Sequence, residues 1–264
     1  MTKLFRTSFI FLLLLSSRAS LANPLALEAP FQEEQSKYSL KGFPGNNHLG
    51  LSALPTASYL PLRQNSNDLD TLYAQAFAAQ IELAELLQPI AEQTRVQMQL
   101  PQIKSYQRAH QKVQLKFAGD AGKITDLSRA SLIADTIHDL MAAYKALSQR
   151  MQIVQLKNRF AAPKASGYRD LNLLVKLPRS GMIAEVQLHL RDIAAIKNGA
   201  EHRVYEQVQA LEAAAIEQQR PLSEFELAQI ARLRQASHKL YHKAWLSYKR
   251  QDEAMASPGR LAYG

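Results

Sequence analysis

Three strand-like runs follow one another in the middle of this 264-residue chain, and they constrain its fold more than any other feature. They span residues 151–159, 169–177 and 182–190, and two Pro-to-Gly breaks separate them. Helical periodicity predicts helices before and after the runs. A block of strands flanked by helices favours an α+β domain built around one central sheet.

The flanking elements follow from the spacing of apolar residues and from helix breakers. On the N-terminal side we expect a helix from Asn67, a helix over 104–117, a strand over 124–134 and a helix over 135–149. On the C-terminal side, helical stretches are expected at about 191–218 and 222–250, separated by Pro221. Trp245 and Leu240 indicate that the last, basic helix packs either on the domain or on a second copy in a homo-oligomer.

The first 22 residues have the pattern of a secretory signal peptide. Lys3 and Arg6 supply a positive start, residues 9–15 are apolar, and small residues precede a cut after Ala22. We therefore expect an exported chain, periplasmic or secreted, with no stable membrane association after cleavage. The remaining predicted regions are a poorly ordered or surface-wrapping segment with five prolines over 23–66, a domain over 67–220, and a basic helix and tail over 221–264.

Composition and missing motifs exclude several kinds of chemistry. The chain has no cysteine, which excludes thiol catalysis, iron–sulfur clusters and Cys-ligated zinc. It also lacks the P-loop, the Gly-x-Gly-x-x-Gly turn, and the His-Glu-x-x-His and Gly-x-Ser-x-Gly motifs. A net charge of +9, or +6 counted from Asn23 onward, suits a phosphate-bearing partner but fits ordinary solubility equally well.

The run over 182–190 alternates between an apolar face and a polar face. Glu185, Gln187 and His189 share the polar face, because alternate side chains of a strand point to the same side. A carboxylate in mid-strand is unfavourable unless it is paired, binds a metal or faces solvent. The neighbouring runs add further polar side chains, namely Lys157, Arg159, Tyr168 and Asn172.

This set of side chains fits phosphoryl transfer, which depends on positioning and on charge stabilisation. Mg²⁺ is commonly held by one or two carboxylates together with substrate phosphates, and Asp126 offers a second acid besides Glu185. The basic helix over 104–116 has the charge to hold a polyphosphate. An exposed Tyr168 next to Gly167 can stack on a nucleobase.

Residues 95–206 resemble the synthetase domain of the RelA/SpoT family, the alarmone (ppGpp) synthetases. The most specific match is Pro163-Lys164-Ala165-Ser166-Gly167-Tyr168-Arg169, followed by Glu185-Val186-Gln187 and then by His202. Upstream, Lys104 and Lys112 match two lysines spaced eight apart, and Asp126 matches the Mg²⁺ aspartate. The resemblance implies a nucleotidyltransferase-like α+β fold with a mixed central sheet, and transfer of the β,γ-pyrophosphate of ATP to the 3′-OH of a guanosine nucleotide.

The resemblance also assigns a role to each matching residue. Asp126 and Glu185 would hold Mg²⁺, and Glu185 would accept the proton of the attacking hydroxyl. The residues expected near the phosphates of ATP are Lys104, Lys112 and Arg129, with Lys157 and Arg159 close by. Tyr168 would stack on the acceptor base. The residues expected to shape the acceptor pocket are Lys164, Arg169, Asn172, Gln187 and His202.

Three departures from the family pattern leave several functions open. Gln102 stands where the family has an arginine over adenine, the segment Asp126–Ser131 changes the Asp-x-x-Gly-x-Arg pattern, and Asn172 replaces a histidine. We expect an exported effector or toxin that uses ATP and a purine nucleotide acceptor, GDP, GTP or an adenine nucleotide. The alternatives are pyrophosphorylation of the 3′ end of tRNA, a degenerate module that only binds nucleotide, and a nucleotidyl transfer.

Overall fold

The computed structural model describes residues 45–256, so the predicted signal peptide, residues 23–44 and the tail after Ala256 lie outside it. Within that range the helices are α1 (His48–Ala53), α2 (Leu69–Thr94), α3 (Tyr106–Phe117), α4 (Ile137–Arg150), α5 (Arg191–Asn198), α6 (Ala200–Glu217) and α7 (Glu224–Ala256). The strands are β1 (Ala57–Ser58), β2 (Gln97–Gln99), β3 (Arg129–Ala134), β4 (Gln152–Asn158), β5 (Leu171–Lys176) and β6 (Ile183–Leu190).

The six strands form one mixed sheet in the order β1-β4-β5-β6-β3-β2. Neighbouring strands are antiparallel except β3 and β6, which pair in parallel in the middle of the sheet. The predicted α+β architecture with a mixed central sheet and flanking helices is therefore confirmed. The three strand-like runs correspond to β4, β5 and β6, each within about two residues of its expected ends.

Apolar side chains fix the helices on one side of the sheet. Ala184, Val186 and Leu188 of β6 are buried, as the alternation of that strand predicts. Helix α4 packs against β3 and β6, and α2 packs against α4 and β3. Side-chain caps define where these helices begin, since Asp68 accepts from the amide of Thr71 and Thr136 accepts from that of Asp139. The polar face of β6 therefore lies on the side of the sheet opposite α2 and α4.

Four local differences from the sequence-based expectations have physical reasons. The strand expected over 124–134 begins only at Arg129, because fully buried Ile124 and Leu127 anchor a loop rather than continue a strand. The helix expected over 191–218 is interrupted at Gly199, which separates α5 from α6. The short strands β1 and β2 carry too few residues to show an alternating pattern.

The described part of the segment over 23–66 wraps along the domain. It forms α1 and β1, and β1 pairs with β4 at the edge of the sheet. The side-chain amide of Asn158 donates to the carbonyl oxygens of Leu51 and Leu54 at 2.7 and 2.9 Å. Further on, the amide of buried Gln64 exchanges two hydrogen bonds of 2.9 Å with the backbone of Ile183. Side-chain amides thus satisfy backbone groups that would otherwise be unpaired.

Helix α7 packs on the domain through aromatic side chains. Trp245 is buried and lies 5.3 Å from Phe160 between ring centroids, and Tyr241 is buried as well. Leu240 is half-exposed. The expected packing of Trp245 on the domain is therefore present, while the homo-oligomer stays a prediction. Among residues 45–256, no helix has both the length and the apolar character that a membrane span requires.

Candidate active site

The polar face of β6 lies at the centre of the sheet and gathers predicted site residues from its neighbours. Asn172 of β5 donates a 2.6 Å hydrogen bond to Oε1 of Glu185 and stands opposite Gln187 in the strand register. On the other side of β6, Arg129 of β3 is the register partner of Glu185. Lys157 of β4 stands opposite Asn172. Four strands therefore place these five side chains in neighbouring positions.

Asp126 lies in the loop before β3 and is held by two lysines. Its Oδ2 is 3.1 Å from Nζ of Lys104 and 2.9 Å from Nζ of Lys112. The backbone amide of Lys104 donates to the carbonyl oxygen of Leu127 at 3.0 Å, which fixes the two segments against each other. The two lysines expected to bind ATP phosphates are therefore paired with the expected metal ligand in this structure.

The second carboxylate oxygen of Asp126 is available to a ligand. Oδ1 is buried and has no hydrogen-bond partner among the described residues. Burial raises the pKa of Asp126, but the charges of Lys112 and Lys104 outweigh that effect and hold the pKa below its ordinary value. A buried, ionised carboxylate with one unpartnered oxygen fits a divalent cation, although no cluster of three or more metal-ligating side chains occurs within residues 45–256.

Asp126 and Glu185 act on a common neighbour in α6. Partial burial, together with the charges of Glu212, Asp126 and Glu185, raises the pKa of the Tyr205 phenol. Both predicted metal ligands are thus close enough to the Tyr205 hydroxyl to influence it. The backbone amide of Glu185 also donates to the carbonyl oxygen of Ser128 at 3.1 Å, which places Glu185 next to the loop that carries Asp126.

The predicted loop before β5 closes as a tight turn. The amide of Gly167 donates to the carbonyl oxygen of Lys164 at 2.7 Å, and the amide of Lys164 donates to that of Tyr168 at 3.2 Å. Gly167 has a φ of +80°, and a Cβ at this position would lie 3.0 Å from Cα of His238 in α7. The turn therefore requires glycine both for its backbone conformation and for the close approach of α7.

Tyr168 is buried, contrary to the expectation of an exposed stacking side chain. Its hydroxyl donates to Asp170 at 2.8 Å and lies 2.7 Å from Nε2 of His189. Tyr241 of α7 packs edge-on against its ring, with centroids 5.7 Å apart. Burial and the charge of Asp170 raise the pKa of Tyr168 well above its ordinary value. Helix α7 covers the ring of Tyr168, and the sequence of the loop alone does not predict this contact.

Two cations lie over the ring of Tyr168. Nζ of Lys164 is 5.3 Å from the ring centroid, and the guanidinium carbon of Arg159 is 6.0 Å from it. Arg159 makes hydrogen bonds of 2.7 and 2.9 Å to the two carboxylate oxygens of Asp170. Arg159, expected near phosphates, is therefore paired with a buried carboxylate. A base can stack on Tyr168 only if these side chains move.

Another predicted acceptor-pocket residue, Arg169, lies elsewhere. Arg169 is buried against α7, where its guanidinium lies over Trp245 at 5.5 Å and donates to the carbonyl oxygen of Phe160. Its placement contradicts the prediction, because the contacts with Trp245 and Phe160 hold the side chain of Arg169 away from the polar face of β6. His202 is half-exposed on α6 and lies 3.5 Å from Glu206.

A comparison with family models identifies the domain. Residues 101–210 match the model described as the region found in RelA / SpoT proteins. The chain contains a RelA/SpoT-family domain. The match begins just before α3 and ends within α6, so it includes every predicted site residue from Lys104 to His202. A search of curated protein sequences finds no significant match.

Solved structures share the fold of the RelA/SpoT domain. The small alarmone synthetase 1 from Bacillus subtilis, bound to its product pppGpp, is 17% identical with a TM-score of 0.51; the alignment covers 70% of this chain and 97% of that one. A GTP pyrophosphokinase family protein from Streptococcus pneumoniae is also 17% identical, with a TM-score of 0.50 and coverages of 71% and 96%. The chain therefore spans nearly the full length of these structures.

The RelA/SpoT domain contains a buried network that the sequence reasoning missed. Asp170 has no exposed side-chain area, His189 is 1% exposed, and Tyr168 joins them. A signal was present, since the register that pairs Lys157 with Asn172 also brings Arg159 opposite Asp170. Reading that register from the two strand-like runs would have predicted the Arg159–Asp170 ion pair.

Acidification tests the Asp126 cluster. Because the pKa of folded Asp126 lies below its unfolded value, the ion pairs stabilise the protein fully above pH about 4 and less as the pH falls through the folded pKa. Asp126→Asn should unfold more easily than wild type near neutral pH, and the difference should shrink on acidification. Denaturant unfolding at pH 6 and pH 3 measures it. A difference that stays constant between these pH values would contradict the account.

Proposed function

We propose that the RelA/SpoT domain transfers the β,γ-pyrophosphate of ATP to the 3′-OH of a purine nucleotide. The observation that carries the proposal is the meeting of Glu185, Asn172, Gln187 and Arg129 on one polar sheet face, next to the loop that carries Asp126. Membership of the domain in the RelA/SpoT family supports the reaction class. The fold shared with an alarmone synthetase that holds pppGpp is consistent with it.

In the proposed reaction Glu185 accepts the proton of the attacking hydroxyl. The hydrogen bond from Asn172 to Oε1 orients its carboxylate and leaves Oε2 available to the acceptor. In the proposed step the 3′-oxygen attacks the β-phosphorus of ATP, the hydroxyl proton passes to Glu185, and AMP leaves with the electrons of the broken P–O bond. Arg129 stands beside Glu185, where its charge can stabilise phosphate oxygens.

Asp126 and Glu185 would hold a divalent cation, Mg²⁺ in the sequence-based prediction. Such an ion would neutralise the charge of the transferring phosphates. With nucleotide bound, the ammonium groups of Lys104 and Lys112 can shift from Asp126 to phosphate oxygens, since Lys side chains are flexible point charges. On the basis of the predicted signal peptide, the proposal includes export: the enzyme acts as an effector or toxin that encounters ATP inside another cell.

A transfer assay tests the proposed function. Purified protein is incubated with Mg²⁺ and ATP labelled in the β and γ positions, with GDP, GTP, AMP, ADP or tRNA offered as separate acceptors. We expect the label to move to a purine nucleotide. Transfer to tRNA alone would instead support the alternative in which the 3′ end of tRNA is the acceptor. Folded protein that transfers no label to any of these acceptors would overturn the proposal.

A module that only binds nucleotide is the second candidate, and the covered ring of Tyr168 favours it. Lys164, Arg159 and Tyr241 occupy the surroundings of that ring. Nucleotide binding without any Glu185-dependent turnover would support this candidate over the enzyme.

A further inference from the structure

Lys197 adds a further positive charge to the polar face of β6. It lies in the last turn of α5, and its Nζ donates a 2.9 Å hydrogen bond to Oε1 of Gln187. Ile193 and Ala194 of the same helix are buried. Because residues three and four positions apart share a helix face, the burial of Ile193 and Ala194 directs Lys197 toward the sheet.

The ammonium of Lys197 has no counter-ion among the described residues. Among the described residues its hydrogen bond goes to the neutral side-chain amide of Gln187, and this bond uses one of the three N–H donors of the ammonium. Burial lowers the pKa of Lys197, the charges of Asp170 and Glu185 raise it, and those of Arg129 and Arg159 lower it. The two acids are already engaged, Asp170 by Arg159 and Glu185 by Asn172. A partly buried ammonium without a counter-ion raises the free energy of the folded protein unless an anion binds it.

Unpaired positive charge continues along the same face. Lys157 and Lys164 are exposed, and neither has an ion pair among residues 45–256, whereas Lys104 and Lys112 share Asp126. Lys197 is less exposed than Lys157 and Lys164 and lies beside the residues predicted for the acceptor pocket. The charge surplus on this side of Glu185 therefore calls for a phosphate-bearing ligand.

We propose that Lys197 is a further acceptor-binding residue, which binds a phosphate oxygen of the nucleotide. The inference rests on the proposed function and deepens it, because it assigns to the acceptor a residue that the family resemblance does not name. Lys197 holds Oε1 of Gln187 with one N–H and offers its other two to the phosphate. Gln187 is thereby fixed with its amide N–H₂ free to donate to the same acceptor.

Titration calorimetry with GDP and ADP tests the role of Lys197 without requiring turnover. Lys197→Met should weaken binding of the diphosphate that wild type binds by about ten- to a hundred-fold, as expected for a lost hydrogen bond between charged groups. Lys197→Arg should keep the affinity within a few-fold. Lys243→Met, which removes an exposed lysine of α7, is the matched control and should bind like wild type.

Several outcomes would overturn the inference about Lys197. Affinities equal to wild type in Lys197→Met would do so, as would wild-type protein that binds neither GDP nor ADP. A lower melting temperature of Lys197→Met with unchanged affinity would show a structural role only. Absence of label transfer in wild type counts against pyrophosphate transfer, whereas a difference in GDP or ADP affinity still supports phosphate binding by Lys197.

Discussion

Glu185→Gln should lower the rate of pyrophosphate transfer by about a hundred- to ten-thousand-fold and leave the fold intact. The amide has the shape of the carboxylate but cannot accept the proton of the attacking hydroxyl, and it is a poor ligand for a divalent cation. Asn172 can still donate to its side-chain oxygen, so the strand packing is preserved. Single-turnover rates with saturating ATP and acceptor measure the loss.

The control for Glu185→Gln is the same substitution at an exposed glutamate. Glu92 lies near the end of α2, and its exposed carboxylate accepts a hydrogen bond from Gln88 of the same helix. Glu92→Gln should retain the wild-type rate. A Glu185→Gln protein as active as wild type would leave the RelA/SpoT domain without its proposed base.

Asp170→Asn should destabilise the protein by about 3 kcal/mol or more. The carboxylate is fully buried and makes two hydrogen bonds to Arg159, whose side chain is 18% exposed, and one to Tyr168. Removing its charge leaves the guanidinium buried without a counter-ion. The free energy of unfolding from denaturant titration measures the effect. Asp170→Asn with Arg159→Met should recover part of the loss, because both buried charges are then absent.

A surface ion pair provides the comparison for Asp170. Asp135 pairs with Arg191, and both side chains are about half-exposed. Asp135→Asn should change the free energy of unfolding far less than Asp170→Asn does, since solvent screens exposed pairs. Equal losses for Asp135→Asn and Asp170→Asn would contradict the role given to burial.

The central strands could be predicted because their local patterns agree with their burial. Strand β6 alternates over its middle, with Ala184, Val186 and Leu188 buried on one side and Glu185 and Gln187 on the other. The Pro-to-Gly breaks over 163–167 and 178–181 separate β4, β5 and β6. The pairing of β3 with β6 in parallel, by contrast, joins residues 56 positions apart, such as Arg129 and Glu185, and no local pattern specifies it.

Long-range packing also explains the errors in the candidate site. Tyr168 reads as an exposed loop residue until Tyr241, 73 positions later, is placed against its ring. Arg169 reads as a residue of the acceptor pocket until Trp245 of the same distant helix covers it. Lys104 and Lys112 were predicted to bind ATP phosphates, and their ion pairs with Asp126 form only because the loop before β3 brings Asp126 to them.

The mass of the product tests the central claim, that this sheet face supports pyrophosphate transfer, most directly. Purified protein with Mg²⁺, ATP and each purine nucleotide in turn should yield AMP and an acceptor heavier by one pyrophosphate group, and Glu185→Gln should form neither. An acceptor that gains an adenylyl or a single phosphoryl group, or one that stays unchanged while the protein remains folded, would contradict the account.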